Sequence, residues 1–284
     1  MPELPEVEVL CRHLAPRLCG RVIGDVVIVR EKVVRPTAPA DLRRALSGAT
    51  ITGLDRRGKY LLFHLDRNGM EQCLIGHLGM TGRMFLQSAS EPAPKHTAVH
   101  FELGRERFIY RDTRCFGRFT LDLSGLEKLG PEPLSEHFRP EAFRDALRKS
   151  RQPVKVKVMD QSLVAGVGNI YASEALHRAG ISPRAVACRL SSAACYRLAA
   201  AIRSILGEAI EKGSGMSLDF SGDGAGDGFF YYGRSESPGE EREEGFRVYD
   251  REGEPCRTCE KPIRRIVQAA RSTFYCPRCQ GAGE

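Results

Sequence analysis

The chain has 284 residues, with 43 lysines and arginines against 36 aspartates and glutamates, which gives a formal net charge of +7. Hydrophobic residues make up 42% and charged residues 28%, a balance that excludes a disordered or fibrous chain and suits about one to three domains. The longest apolar run, Leu198–Ile202, is too short to cross a membrane, and the acidic start lacks the features of a secretory signal. We therefore expect a cytoplasmic protein whose small positive excess favours an anionic partner.

The first residues predict a helix. Apolar residues recur there at three- and four-residue steps and form one stripe: Leu4, Val7, Leu10, Leu14 and Leu18. Pro5 suits the first helical turn, and Gly20 suits the exit. From about residue 21 to residue 123, short apolar segments alternate with Gly, Pro, Asp and Asn. That pattern indicates a β-rich domain, either a sandwich or a flattened barrel.

Beyond residue 130 the pattern becomes helical. One predicted helix begins behind the glycine-rich turn VAGVG, where Asn169 stands in the position of a helix cap and exposed backbone N–H groups suit a phosphate. Ser191 leads a longer helix that ends at Gly213. The segment 213–245 is rich in glycine and glutamate, which indicates a loop.

The last forty residues contain two Cys-x-x-Cys pairs, formed by Cys256, Cys259, Cys276 and Cys279. Four thiolates at this spacing suit a tetrahedral zinc ion with no open position, so the metal is expected to be structural. The segment is too small to build its own core, which favours zinc over a chance pairing or a redox dithiol. The arginines between the pairs, including Arg271, suit phosphate binding.

The N-terminal sequence also offers a nucleophilic amine with an acid beside it. Removal of Met1 would leave Pro2 with a free secondary amine, and an α-amino group is less basic than a lysine side chain, so more of it is nucleophilic at neutral pH. Attack of this amine on a sugar C1′ would give a cationic iminium that accepts electrons. Glu3 could move the protons that such a reaction needs.

Taken together, these sequence features resemble those of bacterial formamidopyrimidine-DNA glycosylase. The resemblance rests on six segments in order along the chain: MPELPEVE, RRGKYLL, HLGMTGR, LGPEPL, GVGNIYASEAL and RSTFYCPRCQ. It implies an α+β multidomain fold with an N-terminal β-sandwich (1–130), a helix–two-turns–helix domain (131–245) and a C-terminal zinc-finger β-hairpin (246–284). The implied activity is excision of oxidised purines from damaged double-stranded DNA, followed by β,δ-elimination at the abasic site. We expect a monomer that carries one structural Zn²⁺ and associates with the nucleoid.

The resemblance also implies roles for single residues. Pro2 would be the Schiff-base nucleophile, with Glu3 assisting sugar-ring opening and Glu6 supporting both. Lys59 would donate a proton in β-elimination, and Arg271 would act in δ-elimination. Contacts to DNA are implied for six residues: His96, Arg114, Arg151, Lys155, Asn169 and Tyr171. Three would fill the space left by the flipped base: Met80, Arg114 and Phe116. From the residues alone, Met80 and Phe116 would be assigned to a core, and Lys59 to a strand surface.

Three positions depart from the family pattern. Cys115 stands where a basic residue is common, which predicts one phosphate contact fewer. Ser150 replaces a lysine found in some members, with Arg151 as a substitute. The segment after Gly213 is longer than usual, and its four glutamates within 240–244 should point away from the phosphate backbone.

Two other functions are compatible with the sequence. One is an endonuclease VIII-like enzyme directed at oxidised pyrimidines, against which Leu4 and the complete void-filling set argue. The other is a non-catalytic zinc protein that binds damaged DNA. The retention of Pro2, Glu3, Lys59 and Arg271 argues against it, because binding alone needs neither a free amine nor an adjacent acid.

Overall fold

The computed structural model describes residues 2–214 and 245–281. They form two compact units, one within residues 2–127 and the other made of residues 128–212 together with 245–281. Within these described ranges, no helix is both long and apolar enough to cross a membrane. The domain limits at residues 130 and 245 stay predictions, and the acidic stretch at 240–244 lies outside the described residues.

The first unit begins with helix α1 (Leu4–Leu18), as predicted. All five residues of the apolar stripe are at most 1% exposed, so this face is the one the helix buries. Pro5 lies in the first turn, where its missing N–H would have had no helical partner. The helix ends at Leu18 with Cys19 as its cap, and Gly20 follows with a φ of +83°, a conformation that glycine adopts without strain.

Two antiparallel sheets follow α1. The strands described in this unit are β1 (Val26–Ile28), β2 (Thr50–Arg57), β3 (Tyr60–Arg67), β4 (Met70–His77), β5 (Gly82–Ser88), β6 (Thr97–Leu103), β7 (Glu106–Asp112) and β8 (Arg118–Thr120). One sheet has the order β1-β6-β7-β5 and the other the order β2-β3-β4-β8. Two short helices complete the unit, α2 (Pro39–Leu46) and α3 (Ser124–Glu127).

Aromatic side chains hold the two sheets face to face. The Phe63 ring on β3 meets the Phe108 ring on β7 edge to face, with centroids 5.8 Å apart. Phe101 stacks on Phe108 at 4.6 Å, and Phe119 on β8 lies 6.0 Å from Phe108. All four rings are at most 1% exposed, so the predicted β-sandwich is confirmed.

The second unit contains the helices α4 (Pro140–Arg148), α5 (Val154–Val158), α6 (Asn169–Ala179) and α7 (Ser192–Ser214). Gly168, not Asn169, is the cap of α6, so the predicted capping role of Asn169 is wrong and this residue begins the helix proper. Gly180 ends α6 in the left-handed conformation, with φ +68°. The hairpin β9 (Arg264–Gln268) and β10 (Arg271–Tyr275) completes the unit. The predicted α+β fold, with a helical domain and a C-terminal hairpin, is confirmed.

Candidate functional site

The start of α1 places two carboxylates around the N-terminal residues. Pro2 is buried, and Glu3 and Glu6 are each 2% exposed. Oε2 of Glu6 accepts a hydrogen bond from the backbone N–H of Glu3 at 2.7 Å, and the Glu3 side chain accepts one from the backbone N–H of Glu6. This reciprocal capping box fixes the backbone immediately after Pro2. Glu3 and Glu6 are therefore held together directly after Pro2, and the catalytic roles of the three residues stay predictions.

Lys59 lies in the two-residue turn between β2 and β3. Arg57 pairs with Tyr60, and Gly58 takes the first central position of the turn with φ +56°. Glycine at that position suits the tight turns that connect antiparallel strands. Lys59 itself is only 6% exposed, which differs from a lysine extended into solvent.

His77, at the end of β4, is a largely buried histidine for which no role was predicted. Burial and the positive charges of Lys59 and Arg118 together lower its pKa to about 4, and Asp112 opposes this shift. The imidazole is therefore neutral at physiological pH. Its Nδ1 accepts a hydrogen bond from the N–H of Gly79 at 3.1 Å, which places the ring proton on Nε2.

This lowered pKa makes stability depend on pH. The unfolded chain protonates His77 near its ordinary pKa of 6.5, whereas the folded protein does so only near 4. The contribution of His77 to the free energy of unfolding is therefore fully present above pH 6.5 and is lost as the pH falls toward 4. From pH 7.5 to pH 5, we expect the wild type to lose about 2 kcal/mol more free energy of unfolding than His77→Gln. Urea unfolding at both pH values measures this, and equal losses would contradict it.

The residues predicted to fill the DNA void lie on two exposed loops of the first unit. Met80 is 42% exposed and Phe116 47% exposed, so neither belongs to the core. The Arg114 guanidinium lies 4.5 Å from the centroid of the Phe116 ring. The loops touch closely, since a Cβ on Gly79 would lie 2.5 Å from the backbone nitrogen of Gly117. The structure thus brings the three predicted residues onto adjoining loops.

Asp112 holds these two loops together. It is fully buried, at 0% exposed, and its role was not predicted. Oδ1 accepts the Thr81 hydroxyl at 2.7 Å and the Arg114 N–H at 3.2 Å. Oδ2 accepts the Gly117 N–H at 2.8 Å and the Tyr110 hydroxyl at 3.4 Å. One carboxylate therefore fixes the loop after Met80 and the loop that carries Arg114 and Phe116.

Asp112→Asn is expected to lower the free energy of unfolding by about 1–3 kcal/mol. The asparagine NH₂ group would face N–H and O–H donors where a carboxylate oxygen now accepts them, which leaves buried donors unpaired. Denaturant unfolding measures the loss. Asp25→Asn, the same change at an exposed position, is the control. Equal stability of the two variants would show that the carboxylate does not fix the loops.

Arg30 lies beside Cys115, the position where the sequence predicted one phosphate contact fewer. Its guanidinium is 2.9 Å from Nδ1 of His96 and 3.3 Å from Sγ of Cys115. His96 has a φ of +70°, uncommon for a residue with a side chain. A cation from another part of the chain therefore stands beside Cys115, which sequence position alone could not reveal.

Lys155 and Asn169 form one network in the second unit. Lys155 is 0% exposed, and its ammonium donates to Oδ1 of Asn169 at 2.6 Å, the carbonyl of Ser272 at 3.1 Å and the hydroxyl of Thr273 at 2.8 Å. The buried charge is thus surrounded by acceptors, which offsets its loss of water. Lys155 joins the first residue of α6 to strand β10.

The remaining predicted contacts of the second unit differ in exposure. Arg151 and Arg271 are exposed, whereas Tyr171 is 3% exposed and meets the Phe246 ring edge to face at 6.4 Å. Arg271 opens β10 directly after a two-residue turn of alanines. Its direct roles in DNA binding and elimination, like those of the other site residues, stay predictions.

The alanine turn before Arg271 is strained. Ala269 and Ala270 have φ values of +47° and +59°, a conformation that usually calls for Asn-Gly. The double substitution Ala269→Asn and Ala270→Gly is expected to raise the free energy of unfolding by about 1–2 kcal/mol. Urea unfolding of the zinc-loaded protein measures the gain, and a decrease would show that the alanines are not strained.

The four cysteines of the last segment form a metal-binding cluster. All four Sγ atoms lie within 4.8 Å of one another, and two pairs are 3.4 Å and 3.8 Å apart. A tetrahedral zinc site with Zn–S bonds of about 2.3 Å places its sulfurs about 3.8 Å apart, so the residues fit this ion. Burial raises the pKa of the Cys256 thiol, but hydrogen bonds from the backbones of Thr258 and Cys259 and from the His177 side chain bring it below its ordinary value overall.

Glu174, on α6, anchors the start of the zinc-binding segment and was not singled out from the sequence. It is 6% exposed, and its carboxylate accepts three backbone N–H groups at 2.8–2.9 Å, from Arg247, Val248 and Tyr249. Val248 in turn belongs to the small core of the segment, with Cys256, Cys276, Ile263 and Phe274. A buried carboxylate with three such partners is well satisfied.

Three family models match consecutive parts of the chain. Residues 1–119 match the formamidopyrimidine-DNA glycosylase N-terminal domain, and residues 129–221 match the formamidopyrimidine-DNA glycosylase H2TH domain. Residues 253–281 match the zinc finger found in FPG and IleRS. Together these models cover most of the chain.

Relatives match over nearly the full length. The formamidopyrimidine-DNA glycosylase of Thiobacillus denitrificans is 44% identical, and that of Geobacillus kaustophilus 40% identical, over 99% of this chain and 100% of each relative. A Lactococcus lactis Fpg (MutM) solved with DNA containing N7-benzyl-Fapy-dG has a TM-score of 0.85 and 34% identity, covering 99% of this chain and all of its own. The same enzyme with abasic-site DNA has a TM-score of 0.83. The chain therefore belongs to the formamidopyrimidine-DNA glycosylase family.

Proposed function

We propose that this protein excises oxidised purines, such as 8-oxoguanine and formamidopyrimidines, from duplex DNA and then cleaves the abasic strand. The observation that carries the proposal is the buried Pro2 followed by the capping box of Glu3 and Glu6, in a chain matched along its length by the family. Pure binding would not require an amine and an acid fixed side by side.

The reaction begins with Pro2 after Met1 is removed. The secondary amine attacks C1′ of the damaged nucleotide, the base leaves, and Glu3 exchanges protons with the sugar as its ring opens. The amine nitrogen loses its proton and forms a double bond to C1′ as the C1′–O4′ bond breaks and the ring oxygen takes a proton, so the product is an iminium cation. Because Glu6 holds the Glu3 backbone, it positions the acid without taking part in the bond changes.

The iminium then supports two eliminations. Loss of a proton from C2′ breaks the C3′–O bond, and loss of a proton from C4′ then breaks the C5′–O bond, so both phosphates leave and a one-nucleotide gap remains. Lys59 supplies a proton in the first step, and Arg271 acts in the second. Hydrolysis of the protein–sugar bond restores the amine.

The other site residues hold the DNA. Phosphates and the damaged nucleotide are contacted by His96, Arg151, Lys155, Asn169 and Tyr171. The void left by the flipped base is filled by Met80, Arg114 and Phe116. Zinc folds the hairpin that carries Arg271 and does no chemistry. The enzyme acts as a monomer at the nucleoid.

The test is trapping with borohydride, which reduces an iminium to a stable amine. The processed protein is mixed with a duplex containing 8-oxoguanine opposite cytosine, and a covalent protein–DNA adduct that maps to Pro2 by mass spectrometry is expected. An adduct formed only with an oxidised pyrimidine would assign the endonuclease VIII-like specificity instead. Tight binding with no adduct on any lesion would identify a non-catalytic damage-binding protein.

A further inference from the structure

His177, on α6, faces the zinc-binding cysteines. Its side chain is buried, at 8% exposed, and Nε2 lies 3.7 Å from Sγ of Cys256, within the range of a hydrogen bond to sulfur. The zinc ligands themselves are the four cysteines, so His177 lies outside the coordination shell. The sequence motifs assign it no role.

The direction of this hydrogen bond follows from the chemistry of the site. A thiolate bound to zinc has no proton, so only the imidazole N–H can donate. Four thiolates also carry twice the charge of one Zn²⁺ ion, and a buried donor to sulfur offsets part of that excess. Groups that hydrogen-bond to metal ligands in this way orient them and strengthen metal binding.

The rest of α6 supports the same arrangement. Glu174 binds the backbone of residues 247–249 one turn before His177. The carbonyl of Ile181, just after the helix, accepts Nε2–H of Gln280 at 3.0 Å, and Gln280 Oε1 accepts the N–H of Cys276 at 2.8 Å. One face of the helix therefore meets the zinc-binding segment at successive turns, with His177 opposite the metal ligands.

We propose that His177 is a positioning residue of the zinc site, whose Nε2–H donates to the Cys256 thiolate and ties metal retention to α6. The hydrogen bond keeps Cys256 oriented toward the ion while the neighbouring contacts hold the backbone. Loss of the donor weakens zinc binding even when the helix stays packed.

The test measures how fast zinc leaves the full-length, zinc-loaded protein in an excess of a colorimetric chelator. His177→Phe keeps an aromatic ring but removes the donor, and it is expected to release zinc at least about 10-fold faster. His177→Gln keeps an N–H at a similar reach and is expected to stay close to the wild-type rate. His137→Phe, at an exposed position of the same unit, is the control.

An unchanged release rate in His177→Phe would overturn the proposal. Equally fast release from the Phe and Gln variants would also overturn it, because packing rather than the donor would then matter. A second measurement needs no variant: imidazole ¹⁵N shifts of the zinc-loaded wild type should show a protonated Nε2. An unprotonated Nε2 there would overturn the proposal even if both variants failed to fold.

Discussion

Excision of 8-oxoguanine by Pro2→Gly is expected to fall at least about 100-fold relative to the wild type, in line with the loss of a group that takes part directly in bond making. The variant still has an α-amino group, but a primary amine gives a neutral imine that must gain a proton before it draws electrons. The iminium of proline is cationic whenever it forms. Single-turnover excision, with enzyme in excess over duplex, measures the chemical steps.

Two controls separate chemistry from folding in this experiment. Pro5→Ala changes another proline of the same segment, inside the first turn of α1, and should leave excision near the wild-type rate. Binding of Pro2→Gly to a duplex with a stable abasic analogue should also remain within a few-fold of wild type. Unchanged turnover in Pro2→Gly would refute the assignment of Pro2 as nucleophile.

Cys256→Ser is expected to abolish both zinc retention and measurable binding to duplex DNA. Serine does not replace a thiolate as a zinc ligand, and the binding energy of a structural zinc ion, of the order of 10 kcal/mol, is folding energy for the segment that holds it. Without the ion, the small core around Val248 and Phe274 cannot hold the hairpin that carries Arg271. Metal analysis and fluorescence anisotropy with a labelled duplex measure the two losses.

Cys188→Ser provides the matched control for this second experiment. Cys188 lies in the same unit but outside the four-cysteine cluster, so this variant should keep its zinc and its affinity. Cys279→Ser should behave like Cys256→Ser. Wild-type affinity in a Cys256→Ser protein that contains no zinc would show that the hairpin is not needed to hold DNA.

The features that were predicted well depend on residues that recur at a regular, short spacing along the chain. The stripe along α1 follows from three- and four-residue steps, and the zinc cluster follows from two Cys-x-x-Cys pairs. In both cases the residues that act together are close in the chain or follow a pattern fixed by the backbone. Family resemblance added the exposed positions of Met80 and Phe116, which residue type alone would have placed in a core.

The features that were missed depend on contacts between distant parts of the chain. Nothing in the sequence around Asp112 says that Thr81 donates to it, and nothing near Cys115 indicates Arg30. Lys155 lies in a basic stretch typical of a solvated surface, yet it is buried because its partners come from α6 and β10. The predicted capping role of Asn169 was wrong by one residue for the same reason. Its side chain accepts a hydrogen bond from Lys155 and does not cap its own helix.

The contacts of the Glu174 carboxylate affect how many residues the chain can carry between α7 and residue 247. It fixes residues 247–249 against α6, and α7 fixes the chain before residue 215, so the positions of both ends of the intervening stretch are set by contacts outside it. A change in the number of residues between positions 215 and 246 can therefore leave the zinc hairpin and Arg271 where they are.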